Sequence, residues 1–258
     1  MLITSIEIIK NSWKIYQKNF RALVPYMLIL IIPNFVLGAT GIMSLFLDQF
    51  TKAGIWIMLN NLTVVAIVIA SALFSLWANI ALVKTIKEII LGKEVIKLKQ
   101  GLNISSHLIW PAIVTSLLVI LIILGGTILL IIPGIIFSLW YTFAYYVIIL
   151  EEKTGMNALR ESKKMVYGRW WEIFFRLFLP GIFFGLILMI INSIATNLTQ
   201  YIFHGTYSAL ISKGLLLAAI NSIAIPLSAL TTILLYLSAR ENPVMIIPKP
   251  STTPDKLS

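Results

Sequence analysis

QGLNISSHLIWPAIVTSLLVILIILGGTILLIIPGIIFSLWYTFAYYVIIL, residues 100–150, contains no lysine, arginine, aspartate or glutamate, and His107 is its one histidine. About 20 apolar residues cross a hydrocarbon core roughly 30 Å thick, so this stretch is too long for one membrane helix and suits two. Pro133-Gly134 is the pair within it that breaks helices and favours a turn, which predicts two spans joined there. The alternative is a buried re-entrant pair over residues 109–150, although each half is long enough to span at ~1.5 Å per residue.

The same reading extends outward. Residues 23–47 hold no charge, Asp48 and Lys52 bracket a short loop, and residues 53–83 are uncharged again, which is a hairpin of two helices. From Leu177 to Ala239 only His204 and Lys213 could carry charge, and both fall in a polar patch between two apolar runs. The expected fold is all-α, a polytopic bundle of six spans in one membrane domain over residues 1–240. Residues 241–258, with Pro243, Pro248, Pro250 and Pro254 among small polar residues, read as a disordered cytoplasmic tail.

Composition excludes the soluble classes. Hydrophobic residues are 59% of the 258 and charged residues 12%, about half the usual share for a soluble domain. The basic N-terminus ahead of an apolar run has the look of a signal peptide, but the run can span and no small-x-small cleavage pattern closes it, so it reads as a mature transmembrane helix. With no cysteine and two histidines, disulfides are excluded and neither a metal site nor a cofactor is expected. The net charge of +10 is explained by its distribution. If all six segments cross, 18 of the 20 lysines and arginines fall on one side, leaving Lys52 and Lys213 on the other. That asymmetry places both termini in the cytoplasm. Trp13, Phe20, Trp110, Trp170 and Trp171 cluster at the inner boundaries and Trp56 near an outer one, while Trp77 and Trp140 fit neither belt.

Each span pair is preceded by a basic segment. In the first, Ile6, Ile9, Trp13, Tyr16 and Phe20 have helical spacing and Lys10, Lys14 and Lys18 fall on another face, as in a helix lying among headgroups. The segment before span five repeats the theme with Met156, Leu159, Val166, Trp170 and Ile173 beside the pair Arg160 and Lys164, and Lys163 must snorkel. These lysines, Arg160, Trp13 and Trp170 are the expected contacts to anionic inner-leaflet lipid. Aligning Ser12-Trp13-Lys14-Ile15 with Ser162-Lys163-Lys164-Met165 suggests three repeat units, 1–84, 85–153 and 154–239, against chance likeness in a chain of few residue types.

No Asp, Glu, Lys or Arg lies deep inside a span, where a transporter or pump usually keeps one. The intramembrane polar candidates are Asn60, Asn61, Asn79, Asn192 and Asn221, with Tyr145 and Tyr146. They could line a path, but hydrogen bonding between helices, worth about 1 kcal/mol, is their commoner use. Pro33, Pro180 and Pro226 read as kinks, and Gly125, Gly126, Gly134, Gly181 and Gly185 as points where helices approach. Glu151, Glu152 and His107 are the best residues for a lipid-headgroup enzyme, with solvated boundary carboxylates as the plainer reading. The basic segments lack a soluble fold that reads nucleic acid, which excludes it as a partner.

Pro133-Gly134-Ile135-Ile136, Trp140, Ala144, Val147-Ile148-Ile149-Leu150-Glu151, Gly155, Ala158-Leu159-Arg160-Glu161-Ser162 and Gly168-Arg169-Trp170 form the most distinctive run. It resembles the membrane domain of the glycerophosphoryl diester phosphodiesterase membrane-domain family and related multi-spanning bacterial proteins of the YciC type. The resemblance implies a prokaryotic plasma-membrane protein of about six helices with an accessory or envelope-maintenance role and no catalysis in this chain. It transfers Glu151, Ala158, Leu159, Ser162 and Trp170 as a structural junction only. Three functions follow as expectations: a non-enzymatic protein whose basic helices rest on the inner leaflet and contact a membrane-protein partner, a transporter or exporter of a lipidic or uncharged solute, and the headgroup enzyme.

Overall fold

A computed structural model of the chain describes residues 2–50, 54–202 and 206–243, without the side chains of residues 40–50, 54–61, 129 and 206–209. Lys52, His204 and the tail from residue 244 onward lie outside the described residues, as do the side chains of Asp48, Trp56, Asn60 and Asn61. The described chain is entirely helical: α1 Ser5–Lys18, α2 Phe20–Phe50, α3 Gly54–Ile90, α4 Leu98–Ser105, α5 Ile109–Leu129, α6 Ile131–Trp140, α7 Ala144–Glu151, α8 Gly155–Val166, α9 Trp170–Ile202 and α10 Thr206–Glu241. A 3-10 turn, Ser106–Leu108, joins α4 to α5.

Six stretches are long and apolar enough to cross a membrane: Phe20–Ala39, Leu62–Ile90, Leu98–Ile128, Ile131–Glu151, Trp170–Ile202 and Leu210–Glu241. What sets them apart from the core of a soluble protein is that they are apolar on both faces. Helix α9 leaves Phe175, Phe178, Phe183, Ile187, Met189, Ile190 and Ile194 exposed, and α5 does the same with Leu117, Ile120, Leu121, Leu124 and Ile128. A contiguous apolar surface of this extent is stable only in hydrocarbon.

The core forms where α10 packs between α2 and α9 and α2 packs on α3. Leu23, Tyr26, Leu30, Ile80, Leu82, Ile86, Leu230, Ile233 and Tyr236 are sealed there. The one polar group of Tyr26 is satisfied by a 2.7 Å hydrogen bond with the Thr85 hydroxyl, as a buried phenol requires. Helices α2, α9 and α10 continue through Pro25 and Pro33, Pro180, and Pro226.

The expected turn at Pro133-Gly134 is displaced. Helix α5 ends at Leu129, Leu130 alone is extended, and Pro133 and Gly134 stand in the first turn of α6. Proline fits there because the amide it lacks would have no helical partner in the first turn. Gly134 serves packing: a Cβ on it would meet the Thr127 hydroxyl and lie 3.0 Å from Thr127 Cα, and one on Gly126 would lie 2.6 Å from the Phe137 ring. Gly125, Gly181 and Gly185 have nothing within 4 Å of a Cβ, so the small-xxx-small pair on α9 is not a packing site among the described residues.

A second break, at residues 141–143, separates α6 from α7 and had no signal in the local sequence. It is held from outside. The buried Ser162 hydroxyl on α8 donates to the Trp140 carbonyl at 2.7 Å and accepts from the Phe143 amide at 3.1 Å, replacing helical bonds the break removes.

Candidate functional site

The ends of the helices that carry most of the cations come together. The Ile3 amide donates to Ser238 Oγ at 2.9 Å and the Ile3 carbonyl accepts from Arg176 Nε at 2.8 Å, which pins the N-terminus between the end of α10 and the start of α9. Arg169 donates to the Ala239 carbonyl at 2.9 Å and to that of Asn242, satisfying carbonyls that the last turn of α10 leaves open. Lys87 at the end of α3 donates to the Leu150 carbonyl at 3.0 Å, doing the same for α7. Lys84 meets Glu152 at 3.2 Å.

Glu151 and Glu152 are neighbours in sequence that face different partners. Glu152 ends α7 in the left-handed conformation, φ 57°, and its carboxylate meets Lys84 and His107, the latter at 3.6 Å. Glu151 accepts from Tyr236 and meets Arg240 at 2.9 Å and Lys153 at 3.0 Å. Arg240 also reaches Glu161 at 3.0 Å, which in turn binds Lys164 at 3.1 Å. The hydrogen bond from Lys84 holds the Glu152 carboxyl below its ordinary value, and that from Lys164 does the same for Glu161. His107 and Glu152 therefore meet, whereas Glu151 is committed to α10. Among the described residues no group of three His, Cys, Asp or Glu is placed to hold a metal.

The two basic helices occupy different sides of this end. Helix α1 packs on α9 and α10, and α8 on α5, α6 and α7. Lys10, Lys14 and Lys18 are exposed on one face of α1, as spaced. The face α1 buries is Ile8, Ser12 and Tyr16, at four-residue spacing, while Ile6 and Trp13 of the expected apolar line are exposed at 65% and 47%. The expected line ignored Ser12 because a serine looks polar, yet it is small enough to let α1 approach its neighbours. On α8 the buried residues are Ala158, Leu159, Ser162, Met165 and Val166, and Met156 is exposed. Arg160 and Lys164 are exposed, and Lys163 sits 4.0 Å over the Trp140 ring, a cation–π contact in place of simple snorkelling. Trp170 stacks on Trp171 with ring centroids 4.2 Å apart. Trp77, outside either aromatic belt, donates to the Leu102 carbonyl at 2.8 Å.

The intramembrane polar residues divide into separate cavities. Asn192 donates to Asn221 at 3.3 Å, and the two line a space of about 430 Å³ with Ser193, Thr196 and Asn197. Asn221 also borders a second space of about 360 Å³ with Asn34 and Lys213. Asn34, not anticipated because it adjoins Pro33 in an apolar run, donates to Ser222 Oγ at 2.9 Å. Asn79 and Tyr145 line a different space of about 320 Å³ between α3, α7 and α10.

The chain is a six-span helical membrane protein. Comparison with protein-family models, with curated proteins and with solved structures gives no match. No family is identified, and the likeness read over Pro133 to Trp171 rests on those residues alone. Its helices contact lipid, and no partner is identified.

Proposed function

We propose that this is a non-enzymatic plasma-membrane protein of a prokaryote, with both termini in the cytoplasm. In this reading its basic end rests on the anionic inner leaflet in an accessory or scaffolding role. The observation that carries this reading is the division of labour among the cations. Lys84, Lys87, Lys153, Arg169 and Arg240 are used up in joining helix ends, whereas Lys10, Lys14, Lys18 and Arg160 have no carboxylate within ion-pair distance among the described residues. Exposed cations at one end of a lipid-embedded bundle suit anionic headgroups, each contributing about 1 kcal/mol near the surface. Replacement of Lys10, Lys14, Lys18 and Arg160 by glutamine then lowers the dependence of the protein's thermal stability on phosphatidylglycerol content in reconstituted vesicles. Equal dependence in variant and parent would contradict the reading.

A second reading, export of a lipidic or uncharged solute, is favoured by one specific feature. The Asn192 Oδ1 is buried without a hydrogen-bond partner among the described residues, on a cavity whose lining residue Asn221 also borders a second one. An orphaned acceptor at that depth costs about 1–3 kcal/mol and is the kind of group a passing donor would satisfy. Single cysteines at Asn192 and Asn221 that react with a small water-soluble thiol reagent support it, and unreactive ones argue against it.

A further inference from the structure

We propose that the groove between α1, α9 and α10 binds one anionic phospholipid, with an acyl chain between the helices and its phosphate held by Lys10. The groove encloses about 730 Å³, and apart from Lys10 its walls are almost wholly apolar, among them Phe184, Ile187, Leu188 and Leu227. That size and lining belong to a pocket for an apolar ligand with one oriented polar end. The wall is rigidly built: the buried Tyr16 donates at 3.0 Å to the Ile223 carbonyl, in the turn preceding Pro226, and Trp13 stacks on Tyr16 at 5.9 Å.

The direction of the groove fits the chemistry. Helix α1 starts beside Arg176 and Ser238 at the cation-rich end and reaches Ile223 by Tyr16, so it descends along α10. On α9 the lining residues run from Phe183 to Ile191, about 12 Å of helix leading away from that end. Lys10 is the charged residue on the lining, on the part of α1 nearer the cation-rich end. The nearby Glu7 carboxylate is engaged at the helix cap by the Thr4 amide at 2.9 Å and the Thr4 hydroxyl at 2.8 Å. A zwitterionic lipid would fill the apolar part equally well but bring no net charge to Lys10, so the head group decides between the two lipids.

This site rests on the same orientation of the basic end as the proposed function, and its test separates the two. The full chain is released from nanodiscs containing equal phosphatidylglycerol and phosphatidylcholine of matched chains, and retained lipid is counted by native mass spectrometry. One phosphatidylglycerol is expected to stay bound. Lys10→Gln reduces the preference for it by roughly fivefold. Ala224→Phe, which fills the groove, abolishes retention while leaving every lysine in place, and Ile187→Trp does so from α9 should the first variant not fold. Equal retention of the two lipids, or undiminished retention in folded Ala224→Phe or Ile187→Trp, overturns the site. A retained phosphatidylglycerol that vanishes in Ala224→Phe, alongside an unchanged vesicle dependence in Lys18→Gln/Arg160→Gln, which leaves Lys10 in place, removes the scaffolding reading and leaves the groove.

Discussion

Ser162 holds the break between α6 and α7 from a different helix. It was legible only as part of a run, Ala158-Leu159-Arg160-Glu161-Ser162, because the break it serves lies some twenty residues earlier and has no glycine or proline of its own. Ser162→Ala leaves the buried Phe143 amide and the half-buried Trp140 carbonyl short of a partner, at a cost of about 1–3 kcal/mol. A lower thermal transition in detergent, with the helical content unchanged, is the expected result. Tyr26 is the second such residue. A Cβ on Gly101 would stand 2.5 Å from the Tyr26 hydroxyl, which is fixed by Thr85, so Gly101→Ala forces a sealed side chain to move. Overpacking of this kind costs about 1–3 kcal/mol, and Tyr26→Phe placed in the same chain recovers part of it.

Among the elements, long helices were easier to read than short ones. Charge-free runs located the spans because hydrocarbon tolerates no other composition. The exact turn between α5 and α6 and the buried faces of α1 and α8 depend on neighbours that come from distant sequence. Glycine makes the same point. Gly134 and Gly181 both look like packing residues in sequence, but only Gly134 has a neighbour, so Gly134→Ala is expected to lower the thermal transition by the equivalent of about 1–3 kcal/mol. Gly181→Ala is expected to be neutral or to raise it slightly, since alanine is favoured over glycine by about 1 kcal/mol inside a helix.

At the scale of the whole molecule, one end gathers the N-terminus, the ends of α3, α7 and α10, and the start of α9. The sequence indicated that the cations are segregated; it gave no sign of which ones hold the helices together, because the partners of Glu151, Glu152 and Glu161 are scattered from Lys84 to Arg240. These acids give the end a pH dependence. Glu152 and Glu161 are held below 4.5 in the folded protein, so their contribution is complete above that pH and is lost as pH falls through the lowered values. Both side chains are reached by solvent, which keeps the effect modest. The contribution of these two carboxylates to thermal stability is therefore expected to be constant above pH 4.5 and to be lost below it, with a shallower fall in Lys84→Gln/Lys164→Gln. The most direct test uses the absence of native cysteine. Single cysteines at Asn11, Lys97 and Asn157 are treated with a membrane-impermeant maleimide in intact cells and in inverted membrane vesicles. All three are predicted to label only in the inverted vesicles, with Lys213→Cys showing the opposite behaviour; labelling of Asn157→Cys in intact cells would contradict the account.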